Sequence, residues 1–327
     1  MRRWLTQSFL LALGLLVLGE LVVRVFFARN MSGRFEYGYH PTAGFIDHPN
    51  GTTELVRAGG RRFRPQSFQR ERAPGVLRIM VIGDSVPRAG SSESAYVSRL
   101  AELLRDRGLR VEAINLAVAG YGARRNHIVL AQALKYQPSL ILRHLNDSNE
   151  FEDEREWRRS QEFQSWHPQN WLMKSLVLRR LHEAKKERIF WHWLPEKLRA
   201  QTAANDADAE IAAGMNETTR REWARRVREF AAQDLALARE ARVPMLLITQ
   251  ARRVRSSQGT ELLDDGGLDT LAQEMLGKAP FLSMKKVFSS LNLTEHFADG
   301  SHLTSLGHAV LARAIADVWA SAPDQLP

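Results

Sequence analysis

The feature that most constrains this chain is the stretch from Val76 to Ser85, where an apolar, β-branched run ends abruptly in Gly83, Asp84 and Ser85. Only Arg78 interrupts its apolar character. A strand with one wet face alternates, whereas a parallel strand covered by helices on both faces reads as nearly continuous apolar sequence. In open α/β sheets the working site lies beyond the carboxyl ends of the strands. Ser85 therefore stands where a nucleophile would stand. Gly-Asp-Ser is also ordinary turn chemistry, so this stretch alone leaves the turn reading open.

Its surroundings repeat the pattern. A second apolar run from Val111 leads to Gly120 and Gly122, and a third from Ser139 ends in Asn146 and Asp147. Between the first two, apolar positions 97, 100, 103 and 104 predict a helix over Ser94–Arg107, capped by Ser94 and stopped by Gly108. Another helix is expected over Arg124–Tyr136. Further on, Val243–Thr249 reads as a fourth strand after a long helix over Glu217–Ala241, and a fifth strand falls within Phe281–Val287. Thr304–Ala320 is the closing helix. Strands alternating with helices imply an α/β fold with a parallel sheet and right-handed crossovers.

The strand ends carry four ordered blocks: Gly83-Asp84-Ser85, then Gly120, then His144-Leu145-Asn146-Asp147, and finally Asp299-Gly300-Ser301-His302. Together, over Leu77 to Trp319, they resemble the Gly-Asp-Ser, glycine, Gly-x-Asn-Asp and Asp-x-x-His blocks of the SGNH (GDSL-type) hydrolases. The resemblance implies a three-layer α/β/α, flavodoxin-like fold with about five parallel strands. It also implies a catalytic triad of Ser85, Asp299 and His302, and an oxyanion hole from the N–H groups of Ser85 and Gly120 with the Asn146 side chain. Two positions depart from the family's pattern: His144 occupies the glycine position of the third block, and Pro87 follows the nucleophile by two.

The residue types suit the chemistry. Ester hydrolysis by serine needs a hydroxyl, a base, a group that orients the base, and donors for the developing oxyanion. A neutral imidazole is the side chain best suited to proton transfer near pH 7. Asp84 and Asp147 read as turn and cap residues. His296, His302 and His308 recur every six residues, which does not gather them on one helix face. The acidic run from Glu150 to Glu156 reads as a solvated helix, so no metal and no cofactor are expected.

The rest of the chain differs in character. Trp4 to Phe27 is dominated by Leu, Val, Ala, Phe and Gly after Arg2 and Arg3. About 20 such residues span a bilayer core, so residues 1–30 are expected to anchor the chain in a membrane, with Glu20 and Arg24 pairing across one helical turn. A cleaved signal peptide is the competing reading. Residues 31–75, rich in Gly, Pro, Arg and aromatics, read as a stalk with short hairpins. A similar leader occurs in the membrane-anchored envelope branch of the resembled family. Residues 76–327 form the α/β domain, with a helical cap inserted at about 151–216. That insertion holds Trp157, Trp166, Trp171, Trp191 and Trp193, five of the eight tryptophans, and the basic run Lys185–Arg188. They read as buried aromatics of the cap, as sugar-stacking indoles, or as a face lying on the membrane.

Composition closes other routes. Cysteine is absent, which excludes disulfides and thiolate metal sites, and the net charge of +9 comes from scattered arginines without a recognised nucleic-acid motif. The expectation is a membrane-anchored serine esterase with its domain on the extracytoplasmic, periplasmic side. Its substrate class would be O-acyl groups, acetyl first, removed from or transferred on an envelope or exported polysaccharide. A lipid esterase at the membrane surface and a non-catalytic carbohydrate-binding component of the same fold are the alternatives, the latter favoured by His144 and Pro87.

Overall fold

The computed structural model describes residues 2–27, 44–55, 63–146, 149–150, 153–154, 157, 175, 177, 217–256, 259–264, 267–277 and 281–321. The chain divides into two compact units, one of Met1–Thr42, Ala58–Gly60 and Arg155–Asn216, the other of Ala43–Arg57, Arg61–Glu154 and Glu217–Pro327.

In the first unit, helix α1 (Arg2–Val22) continues through a π-helical turn, Val23–Phe27. Its segment Thr6–Phe26 has a mean hydropathy of 2.3 and is long and apolar enough to cross a membrane. Arg24 Nε donates to Glu20 at 2.8 Å, the pairing expected for these positions. The other Glu20 oxygen accepts from Ser175 Oγ at 2.8 Å and from the Val177 N–H at 3.1 Å. Apart from Asp153, Glu154, Trp157, Ser175 and Val177, the expected cap lies outside the described residues, as do Trp166, Trp171, Trp191, Trp193 and Lys185–Arg188.

The second unit begins with a small antiparallel sheet, β1 (Phe45–Asp47), β2 (Thr52–Leu55) and β3 (Gln66–Gln69), formed by residues read from the sequence as a stalk. Phe45 stacks on Tyr136 at 5.0 Å between centroids, and Phe68 meets the same ring edge-on at 5.4 Å. Beneath them Arg78 is buried, and its guanidinium donates to the carbonyls of Gln69 and Tyr136 and to Glu112. A buried guanidinium is tolerable because its N–H groups find such acceptors. This explains the single polar residue in the first apolar run.

The main sheet is parallel: β4 (Leu77–Ile82), β5 (Val111–Asn115), β6 (Leu140–Leu145), β7 (Met245–Thr249) and, after a hairpin β8 (Ala251–Ser256) and β9 (Gly259–Asp264), β10 (Phe281–Ser283). In space the order is β5-β4-β6-β7-β10, a doubly wound sheet that reverses direction beside β4. The nucleophile strand thus lies at the switch point.

The helices are α2 (Ser85–Arg88), α3 (Tyr96–Asp106), α4 (Ala123–Ala133), α5 (Glu217–Glu240), α6 (Leu268–Leu276), α7 (Met284–Phe288), α8 (Leu293–His296) and α9 (Ser305–Ser321). Alternate strand residues separate into two cores. Ile79, Val81, Leu140, Leu142, Leu246 and Ile248 meet α3, α7 and α9, while Leu145 and Leu247 meet α4, α5 and α6. Burial on both faces is why these strands read as continuous apolar runs. One local expectation is corrected: α3 is capped by Ala95, because the Ser94 hydroxyl is bonded to Ser91.

Candidate active site

Three strand ends and one loop build the site. Beyond β4 the chain turns at Gly83 into α2, which starts at Ser85. A Cβ on Gly83 would fall 2.6 Å from Pro87 Cγ and 2.9 Å from His144 Cβ. The two residues that depart from the family pattern therefore pack on the same missing methyl group, and only glycine fits between them. Asp84 is buried and caps α2, accepting from the Val86 N–H at 3.0 Å and from Asn149 Nδ2 at 2.8 Å. Burial pushes its carboxyl up to about 6, against the opposing pull of the Val86 N–H, His302 and Asn149.

Asn115, at the end of β5, holds the other side of this turn. Its amide donates to Pro87 O at 2.9 Å and its Oδ1 accepts from the Ala117 N–H at 3.0 Å. Gln66 of β3 grips the Asn115 backbone from both sides, at 2.8 and 2.9 Å. The Val118 N–H then bonds Gly83 O at 3.1 Å, and a turn closed by Tyr121 N–H to Val118 O at 3.2 Å follows. Gly120 sits third in that turn with φ +77°, a conformation glycine adopts without steric cost. Asn146 directly follows β6 and is buried. Gly120 and Asn146 thus follow the two strands that neighbour β4. Asp147 lies outside the described residues.

The loop between α8 and α9 carries the remaining pair. Asp299 Oδ1 accepts from the N–H groups of Ser301 and His302, both at 2.8 Å, and Oδ2 lies 2.7 Å from His302 Nδ1. A carboxylate only accepts, so the ring proton sits on Nδ1 and leaves the Nε2 lone pair free. Ser85 Oγ donates to that Nε2 at 2.8 Å. Desolvation raises Asp299, but the His302 and Ser301 N–H groups and the His302 ring outweigh it and hold the carboxyl down at about 2. It is ionised throughout the neutral range. Gly307, in the first turn of α9, is required here, since a Cβ would lie 2.2 Å from His296 O.

The expected site residues Ser85, His302 and Asp299 are thus brought together, while Gly120 and Asn146 follow the strands on either side of β4. Missed from the sequence were Gln66, Asn115 and Gln250, which fasten the site's backbone, and Asn149, which holds the Asp84 carboxylate. Gln250 had a signal: it is the polar residue just past β7, the same place in its strand that Asn146 holds in β6. The run beginning at Glu150 also differs from its solvated reading. Glu150 and Asp153 are buried, and Glu150 Oε1 accepts from the Ala123 N–H at 2.5 Å at the start of α4. Burial, then the neighbouring Asp153, pushes the Glu150 carboxyl up to about 8. His296 and His308 are separate from the triad: His296 bonds Asn292 O at 2.7 Å, and His308 is buried against Tyr96.

No family model matches the sequence, and no curated protein matches it. Solved structures of similar fold include an acetyl xylan esterase, AlAXEase, 14% identical over 74% of this chain and 99% of that one, with a TM-score of 0.45. A variant of an acetyl-xylooligosaccharide esterase from Geobacillus Stearmophilus is 14% identical over 74% and 93% of the two chains, with a TM-score of 0.44. A GDSL-like lipase from Bacteroides thetaiotaomicron is 12% identical over 75% and 89%, with a TM-score of 0.40. Likenesses this distant say nothing of the reaction, which rests on the side chains of this chain.

Proposed function

We propose that this chain is a membrane-anchored serine esterase that cleaves O-acyl groups, acetyl above all, from an envelope or exported polysaccharide. The observation that carries the chemistry is the unbroken relay from Asp299 through His302 to Ser85, with both links between 2.7 and 2.8 Å. As an acyl ester enters, Ser85 Oγ attacks the carbonyl carbon and its proton passes to His302 Nε2. The carbonyl oxygen takes up the negative charge, met by the N–H groups of Ser85 and Gly120 and the amide of Asn146. Collapse breaks the bond to the alkoxy oxygen, which leaves as an alcohol with the proton from His302. Water, or a second hydroxyl in a transfer reaction, then takes the acyl group from Ser85 with His302 again as base.

The polysaccharide and the location are inferred from the chain's other features. The N-terminal apolar helix supports a single-pass anchor, and the resemblance to the envelope-anchored branch supports an extracytoplasmic domain acting on surface polymers. His144 does not favour the non-catalytic alternative, because its ring is fully buried. The test is covalent labelling by a serine-directed phosphonate, located by mass spectrometry, with Ser85→Ala as the control. Acetyl release is then compared on acetylated polysaccharide and on lipid esters, and a reporter active on one side of the membrane fixes orientation. Absence of both labelling and acyl-ester turnover in the wild type would end the esterase reading. A cytoplasmic domain would end the polysaccharide reading alone.

A further inference from the structure

His302 and Asp299 are half exposed, their side chains 48% and 57% accessible. Packing therefore does little to fix their rotamers, and the precision of the relay must come from the backbone of their loop. Part of that loop is held by β8, where the Arg253 N–H bonds Gly300 O at 2.7 Å and its guanidinium donates to Phe297 O at 3.0 Å. The loop is also closed on itself by the Ala298 N–H on His302 O at 2.8 Å, and a further hold comes from Gln250, which is buried at 1% exposure.

Gln250 Nε2 donates to Ser301 O at 3.0 Å and to Ala251 O at 2.9 Å. Carbonyl oxygens only accept, so the NH₂ end of the amide must face them. Oε1 is then the atom facing His144 Nε2, at 2.6 Å. An amide oxygen also only accepts, which puts the His144 proton on Nε2 and leaves Nδ1 bare towards the Tyr96 hydroxyl, 3.5 Å away. Burial lowers the His144 ring to about 4, so it is neutral near pH 7 and keeps this arrangement. Every donor and acceptor from Tyr96 to Ser301 is set by the next. Ser301 is the residue just before His302, and it is fastened at both ends: its N–H by Asp299, its C=O by Gln250.

We infer that His144 and Gln250 are positioning residues, which, given the esterase activity proposed above, set the base loop so that His302 Nε2 meets Ser85 Oγ. The inference rests on that activity. It also explains why a histidine stands where the resembled family has glycine: a glycine would leave Gln250 Oε1 without this donor and the amide free to turn.

The test uses the full chain in detergent, with active sites counted by the phosphonate. Gln250→Leu keeps the volume and removes both sets of bonds. Its kcat on a small acetyl ester should fall about 10–100-fold, because misplacement of a catalytic group by about 1 Å costs on that order. KM should stay near the wild-type value, and the rate of phosphonate labelling at Ser85 should fall in parallel. His144→Phe should give a smaller loss of the same kind, and the double variant should lose no more than Gln250→Leu alone, since the two act through one chain of bonds. A merely structural role would lower Tm and the count of labelled sites, while each surviving site turned over at the wild-type kcat; that result would overturn the inference. So would strictly additive losses. If Gln250→Leu does not fold, His144→Phe with an unchanged kcat per labelled site overturns it equally. A wild type that neither labels nor hydrolyses acyl esters instead sinks the esterase reading itself.

Discussion

Replacing Asp299 by asparagine should damage the site more than replacing it by alanine, although asparagine is the closer match in shape. Oδ1 is committed to two backbone N–H groups at 2.8 Å, and a carbonyl oxygen in an asparagine would remain there. The amide NH₂ must then face His302 Nδ1 across the 2.7 Å now spanned by the carboxylate. Two N–H groups cannot point at each other, so the ring moves its proton to Nε2, against Ser85 Oγ. The lone pair that should accept the serine proton is gone. Recovering the active tautomer costs the new bond, about 0.5–1.5 kcal/mol, and sets the amide N–H against the ring N–H unless the amide gives up its two backbone donors. The imidazolium formed in the transition state also loses its counter-ion, and the same change in a buried serine-protease triad costs about 10⁴ in kcat. Here the side chain is 57% exposed, so water screens part of that charge. The expected loss is about 10³-fold for Asp299→Asn and about 10²-fold for Asp299→Ala, where Nδ1–H can donate to water. Turnover per phosphonate-titrated site measures both, and ¹⁵N shifts of the His302 ring report the tautomer. An asparagine variant at least as active as the alanine variant would refute the reasoning.

Three further outcomes are expected. Asn146→Ala removes one of the proposed oxyanion donors, so kcat should fall about 10²–10³-fold with KM little changed, measured on the same acetyl ester. Asp84 holds its proton more tightly in the folded state, its pKa raised from 3.8 to about 6 by burial, so its charge costs stability as pH rises through that window and above it. Thermal melts of Asp84→Asn against wild type should show no gain near pH 4 and a gain of about 1–3 kcal/mol at pH 7; a constant difference across the window would contradict this. Gly307→Ala places a methyl group where only 2.2 Å separates it from His296 O. It should destabilise the domain by about 1–3 kcal/mol, despite alanine's advantage of about 1 kcal/mol in a helix, read from the denaturation midpoint.

Much of the fold was legible because its local and tertiary demands coincide. Buried parallel strands must be apolar on both faces, so β4 and β6 announce themselves, and the glycine at position 120 marks a turn that needs positive φ. Ser85, Asn146, Asp299 and His302 were readable as strand-end and loop residues because sites of α/β sheets gather there. The hairpin β8–β9 was not legible, since Ala251–Ser256 carries arginines at alternate and adjacent positions and lacks an apolar period. Glu150 was misread for the opposite reason: a run of carboxylates looks solvated until the start of α4 and Arg226 of α5 are folded against it.

The order of chemistry-bearing residues along the chain was thus determined by the sequence alone: a hydroxyl after the first strand, a glycine and an asparagine after the next two, an acid and a base before the last helix. What only the tertiary structure decided is how tightly those residues are held, and by what. His144 and Pro87 look like lapses from a pattern in one dimension. In three dimensions they pack on the missing Cβ of Gly83, and His144 reaches through Gln250 to Ser301, which is 157 residues further along the chain. Hydrogen-bond partners separated by such distances leave no periodicity or spacing in the sequence, because the geometry that joins them exists only once the sheet has formed.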